Sequence, residues 1–195
     1  MLENTDNLST LKIKNLDITK GLHRFGDDAL AYINALRSYT ADVRLMLGTI
    51  QEVNENSLFE YESIMHSIKG SSWVIYATPI GNKAKELEDA ANDKNSLFIK
   101  THNSAFLEDL KKLIDEIDEI VLKFTNSKPK IKADKIDSEL LSSLIQACKE
   151  YNMSEVDDVM FQIEQYQYDA DDELVKWLRD KVDVTKYGDI VSRFE

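Results

Sequence analysis

The chain has 195 residues and carries 36 acidic against 24 basic side chains, a formal net charge of −12. This charge has the wrong sign for neutralising the phosphates of DNA or RNA, so we expect no nucleic-acid binding. A single cysteine, Cys148, excludes an intramolecular disulfide, and no apolar run approaches the roughly 20 residues that cross a bilayer. We therefore expect a cytoplasmic segment that makes no membrane contact.

Helices are predicted along nearly the whole chain. Six glycines and two prolines are few for this length, and apolar residues recur at spacings of three and four. In chain order, the pattern predicts one long helix or two in tandem at 27–53, then helices at 59–75, 78–91 and 97–124; no segment indicates a strand. Short connections between these helices predict an all-α fold with an antiparallel up-and-down four-helix bundle.

A polar stretch with the second proline follows the last of these helices, at 125–130. Because it has little to bury, it predicts a domain boundary. We assign 15–125 to the helical bundle, 126–136 to a linker and 137–195 to a C-terminal helical extension or small subdomain. In that extension we predict short helices at 137–151, 154–166, 170–181 and 187–194, with Asp137 and Ser154 as N-caps.

The helix predicted at 59–75 carries a histidine on its outer side. Ile64, Ile68, Ser71 and Ile75 fall in one sector of a helical wheel and are predicted to face the core, whereas His66 lies about 200 degrees around from Ile64. We therefore predict that His66 is exposed to solvent.

The neighbours of His66 suggest a chemical role. Lys69 and Gly70 lie three and four residues after it, on the same outer face. A neutral imidazole is a good nucleophile near pH 7, and a phosphoryl group on it adds a charge of roughly −1.5 to −2 that Lys69 could balance. A glycine inside a helix costs about 1 kcal/mol relative to alanine, and at position 70 it would let another protein's backbone come close to the imidazole.

Residues 64–72, with the sequence Ile-Met-His-Ser-Ile-Lys-Gly-Ser-Ser, resemble the His-x-x-Lys-Gly-Ser-Ser core of histidine phosphotransfer (HPt) domains. The resemblance covers about 15–124, including residues 21–36 as the entry into the first bundle helix and 84–91 as the helix after the histidine. One departure lies after Ile75, where the family usually has glycine before alanine and this chain has Tyr76 and Ala77.

The resemblance implies a phosphorelay function, in which His66 accepts a phosphoryl group from the aspartate of a response-regulator receiver domain and passes it to another receiver. It implies that Lys69 stabilises the phosphoryl charge, that this chain binds no cofactor, and that Mg²⁺ belongs to the partner receiver. It also implies a phosphotransfer intermediate rather than an autonomous kinase, and such modules often end a hybrid sensor histidine kinase. A histidine kinase in cis is then a further partner, and the segment could be the cytoplasmic part of a membrane-bound sensor kinase.

Two further residues are candidates for docking the partner. Glu62 lies four residues before His66, and Trp73 lies seven after it, both on the predicted outer face. Aromatic residues are favoured at interaction hot spots, but Trp73 could equally pack within the chain, over a hydrophobic edge or on the C-terminal helices. The sequence leaves both interpretations of Trp73 open.

One alternative function also stays open: an acidic helical module that binds receiver or kinase domains without accepting phosphate. His23 and His102 lack a neighbouring Lys-Gly pair, and neither is spaced with another histidine or cysteine as metal ligands are, so no metal site is predicted.

Overall fold

The computed structural model describes Leu8 and residues 10–54, 57–125 and 130–195. These residues are mostly helical, which confirms the all-α prediction, and they form nine helices and two very short strands. Among them, no helix has both the length and the apolar character needed to cross a membrane. The chain divides into two compact units, the first ending at Val121 and the second running from Leu122 to Glu195.

The first unit contains α1 (Ile18–Arg24), α2 (Ala29–Leu47), α3 (Leu58–Val74), α4 (Thr78–Asn92) and most of α5 (Ser96–Thr125). The region 27–53, for which the sequence predicts one long helix or two in tandem, thus contains a single helix over 29–47. It begins where the Asp28 carboxylate accepts hydrogen bonds from the backbone N–H groups of Leu30 and Ala31.

The core face of α3 differs from the prediction. Tyr61, Met65, Ile68, Ser72 and Ile75 are buried, whereas two of the residues predicted to face the core, at 64 and 71, are only half-buried. The predicted sector is confirmed at Ile68 and Ile75 but was wrong at the other two positions, because several neighbouring helices together cover a face that also includes Tyr61, Met65 and Ser72. The Tyr61 hydroxyl donates to Asn103 Oδ1 of α5, and the Ser72 hydroxyl lies 3.0 Å from that of Tyr39 of α2.

The end of α3 is closed by a left-handed residue. Tyr76 has a φ of +64°, and the backbone N–H of Ala77 donates to the carbonyl of Ser72 at 2.8 Å. The N–H of Tyr76 donates to the carbonyl of Trp73, which completes a Schellman motif. Glycine is the usual residue at the left-handed position. Tyr76 has a Cβ atom, so its left-handed backbone conformation is strained.

The second unit has its own apolar core, formed by helices α6 (Ser138–Glu150), α7 (Met153–Ile163), α8 (Asp172–Asp183) and α9 (Tyr187–Phe194). Asp137 caps α6 as predicted, with its carboxylate accepting from the N–H of Glu139. The predicted cap Ser154 was wrong, because α7 begins one residue earlier and the side chain of Asn152 caps it.

Two strands of this unit correct the sequence analysis. β1 (Ile131–Ala133) pairs in parallel with β2 (Tyr166–Tyr168), although no strand was predicted. β1 falls inside the predicted linker 126–136, and Ile136 of the same stretch is buried. Three residues are too few for an alternating pattern, and the partner strand lies far along the chain, so no local signal was available. The part of the linker at 126–129 lies outside the described residues.

Candidate functional site

His66 lies on the outer side of α3, and its side chain is 69% exposed. Its Nδ1 lies 2.7 Å from Oε1 of Glu88, on the neighbouring helix α4. An ionised carboxylate can only accept a hydrogen bond, so this contact assigns the proton of a neutral His66 to Nδ1. In that tautomer Nε2 carries the lone pair and is the nucleophilic nitrogen.

Lys69 lies one turn further along α3 and joins the same cluster. Its Nζ lies 2.9 Å from Oε1 and 2.6 Å from Oε2 of Glu88, and 3.3 Å from Nδ1 of His66. The side chain of Lys69 is only 16% exposed. The structure therefore brings the predicted nucleophile and the predicted positive charge together through one carboxylate.

Glu88 is the site residue that the sequence analysis missed. Its side chain is 9% exposed, and it lies on the face of α4 that also buries Gly81, Ala84 and Leu87. Burial by itself raises the pKa of Glu88, but hydrogen bonds from Lys69 and His66 outweigh burial and leave that pKa below its usual value. The available signal was an acidic residue at helical spacing on an otherwise apolar face.

Gly70 lies on α3 directly after Lys69. A Cβ atom added to it would meet nothing within 4 Å, other than the helix itself. Packing within the described residues therefore gives no reason for a glycine here, and the space above it is open to a partner. The docking role of Gly70 stays a prediction.

Glu62, the other predicted docking residue on α3, is half-buried one turn before His66. It lines a surface groove together with Leu58, Phe59, Ala91 and Asn92. Phe59 is 82% exposed at this groove. Glu62 thus belongs to an open depression on the His66 side of α3, where its contribution to docking stays a prediction.

Trp73 is turned toward α4 and is 40% exposed. Its indole Nε1 donates to Oδ1 of Asn82 at 3.3 Å, and the five-membered ring covers Gly81 so closely that an added Cβ there would overlap it. The Nζ of Lys69 lies 5.9 Å from the ring centroid, within cation–π range. Of the two interpretations that the sequence left open, these contacts favour packing within the chain.

The two remaining histidines lie outside this cluster. His23 Nδ1 lies 3.7 Å from Asp27, and His102 Nδ1 bonds to the carbonyl of Phe98. Within the described ranges, no group of three or more His, Cys, Asp or Glu side chains is arranged to hold a metal ion.

Comparison of this chain with protein-family models, curated proteins and solved structures found no match.

Proposed function

We propose that this chain is a phosphorelay intermediate in which Nε2 of His66 accepts a phosphoryl group from a receiver-domain aspartate and passes it to another receiver. The observation that supports this most strongly is the contact between His66 and Glu88. It combines an exposed imidazole with a buried carboxylate that fixes its tautomer. The His-x-x-Lys-Gly-Ser-Ser resemblance points to the same chemistry.

In the proposed step, the Nε2 lone pair attacks the phosphorus of an aspartyl phosphate. An N–P bond forms, the bond from phosphorus to the aspartate oxygen breaks, and the electron pair leaves with the restored carboxylate. The imidazole becomes positively charged in the process, and Glu88 stabilises that charge through the hydrogen bond from Nδ1. The next receiver reverses the step, so the chain is a carrier of the group rather than an autonomous kinase.

Lys69 balances the charge of the transferred group. Its ammonium lies 3.3 Å from Nδ1 of the same ring that would carry the phosphoryl group on Nε2, so its positive charge acts on that group from its place beside Glu88. Phosphoryl transfer depends mainly on positioning and charge stabilisation, and Mg²⁺ is expected on the partner receiver. This chain then needs only a reachable nucleophile and a cation beside it.

We also propose that α2 to α5 form the antiparallel up-and-down four-helix bundle of this module. Contacts between successive helices support it, because along α2, and again along α3, a later residue meets an earlier residue of the following segment. The pairs are Tyr32 with Ile75, Tyr39 with Ser72, Lys69 with Glu88, Trp73 with Asn82, and Lys83 with Asp109.

The partners of this function are receiver domains, and a histidine kinase in cis where the chain is part of a larger one. We propose that receivers dock on the outer side of α3, where Gly70 leaves open space and Glu62 lines the groove beside Phe59. Phe59 lies seven residues before His66, which corresponds to about two helical turns on the same face. An exposed aromatic residue at that distance suits the periphery of a docking surface.

The test is transfer from phosphorylated receivers of the same organism to this chain, with His66→Gln and His102→Gln compared with the unaltered protein. We expect the unaltered chain and His102→Gln to take up label equally, and His66→Gln to take up none. If receivers bind but leave no acid-labile label on the unaltered chain, the protein is a binding module that accepts no phosphate. Equal labelling of His66→Gln would disprove the assignment of His66.

A further inference from the structure

We infer that Trp73 is a positioning residue that holds Lys69 against Glu88 and His66. The inference rests on the proposed function for its chemical meaning, but the placement of Lys69 can be tested without any phosphoryl transfer. A positioning residue acts through another side chain, so Trp73 itself is not expected to touch the phosphoryl group.

Trp73 is fixed from the side of α4. The indole covers Gly81, and a Cβ at that position would overlap Cδ1 and Nε1 of the ring and would come within 3.3 Å of the Lys69 carbonyl. The hydrogen bond from Nε1 to Asn82 adds a directional restraint. A glycine and an asparagine side by side therefore set where the ring lies.

The ring in turn restricts Lys69. Its ammonium lies 5.9 Å from the indole centroid, and its side chain is 16% exposed although it follows the well-exposed His66 by one turn. A lysine loses considerable side-chain entropy when it is held in one conformation. An aromatic face on one side and the Glu88 carboxylate on the other confine the ammonium to the Nδ1 side of His66.

A role limited to stability makes different predictions. If Trp73 only covered apolar surface, its removal would lower the free energy of unfolding and leave the exposure of the Lys69 amine unchanged. If it positions Lys69, its removal should release that amine to solvent. Gly81→Ala offers a second way to move the ring, because its methyl group would overlap the indole. It changes no side chain of His66, Lys69 or Glu88, and its contact with the Lys69 backbone carbonyl, at 3.3 Å, is much less tight than its overlap with the ring.

The first experiment is acylation of lysine amines by an N-hydroxysuccinimide ester, with rates per residue read by mass spectrometry. Trp73→Ala and Gly81→Ala should acylate Lys69 about two- to five-fold faster, the factor expected from losing a partly exposed cation–π contact. Trp73→Phe should retain most of the protection. Lys85, exposed on α4 and paired with Asp89, is the internal reference and should not change.

The second experiment measures transfer from a phosphorylated receiver to the same variants, with folding checked by urea titration. Trp73→Ala should slow transfer by about the same two- to five-fold, whereas Trp73→Phe should keep most of the original transfer rate. In the Trp73→Ala background, Gly81→Ala should have little further effect, because its overlap is with the ring and only the 3.3 Å contact with the Lys69 carbonyl remains. An unchanged Lys69 acylation rate would overturn the inference, as would faster acylation with an unchanged transfer rate. Failure of the proposed function looks different: the unaltered protein takes no label, while the acylation result still decides where Lys69 is held.

Discussion

Oε1 of Glu88 lies 2.7 Å from Nδ1 of His66, so a carboxylate of α4 holds the imidazole of α3. The carboxylate is almost buried and the imidazole is largely exposed. This relationship gives the imidazole a defined tautomer and a fixed orientation while leaving its other nitrogen for a reaction.

Removing the Glu88 carboxylate should slow transfer to His66. Glu88→Ala removes both the acceptor for Nδ1 and the anchor of Lys69, and we expect a loss of about tenfold, near the lower limit for a hydrogen bond to a charged group. Glu88→Gln keeps a hydrogen-bond acceptor without the charge, so it should slow transfer less than Glu88→Ala does. The rates are measured with one phosphorylated receiver at saturation. Equal rates for Glu88→Ala and the unaltered chain would remove Glu88 from the site.

The low pKa of Glu88 makes the stability of the first unit depend on pH. Because the pKa in the folded state lies below the ordinary value of 4.5, the folded state favours the carboxylate. Its contribution is fully present above about pH 4.5 and is lost as the pH falls through the lower, folded-state pKa. The free energy of unfolding from urea titrations should therefore fall less steeply below pH 4.5 in Glu88→Gln than in the unaltered protein. Parallel curves for the two proteins would contradict the prediction.

Gly70→Ala should separate stability from partner contact. Alanine is the better helix former by about 1 kcal/mol, and the added Cβ meets nothing within the described chain, so the free energy of unfolding should rise by about 0.5–1 kcal/mol. Transfer from a receiver should slow if, as we propose, the partner's backbone comes close to this position, because the methyl group occupies that space. A variant that is more stable and transfers at the original rate would show that Gly70 has no docking role.

Tyr76 should be replaceable by glycine at the end of α3. Its φ of +64° strains any residue with a Cβ, by about 1–2 kcal/mol. Tyr76→Ala and Tyr76→Gly remove the same ring, but only glycine relieves the backbone. We expect the glycine variant to be more stable than the alanine variant by about 1 kcal/mol in urea titrations. Two equally stable variants would mean that the left-handed conformation is not strained.

The sequence was sufficient for features that one helix determines by itself. The exposure of His66 follows from its position relative to Ile68 and Ile75, and Lys69 follows one turn later on the same side. The predicted cap at Asp137 is likewise local, because its carboxylate accepts from N–H groups two and three residues away. In each of these cases, spacing along the chain fixes spacing in the molecule.

Features that require two elements to meet were not predictable in this way. Glu88 enters the site only because α4 packs on α3 at the level of His66, and the orientation of Trp73 depends on Gly81 of that same helix. The buried face of α3 shifted toward Met65 because its neighbours decide which side is covered. The strands β1 and β2 exist only as a pair, so neither segment carries the signal alone.

The most direct test of the central claim is to identify the residue, and the nitrogen atom within it, that carries the phosphoryl group. After incubation with a phosphorylated receiver, mass spectrometry under conditions that preserve phosphohistidine would identify the residue, and ¹⁵N NMR of the histidine rings would identify the nitrogen. We predict phosphate on His66, at Nε2, with Nδ1 still protonated and facing Glu88. Phosphate on Nδ1 of His66, or on any other residue, would contradict the account.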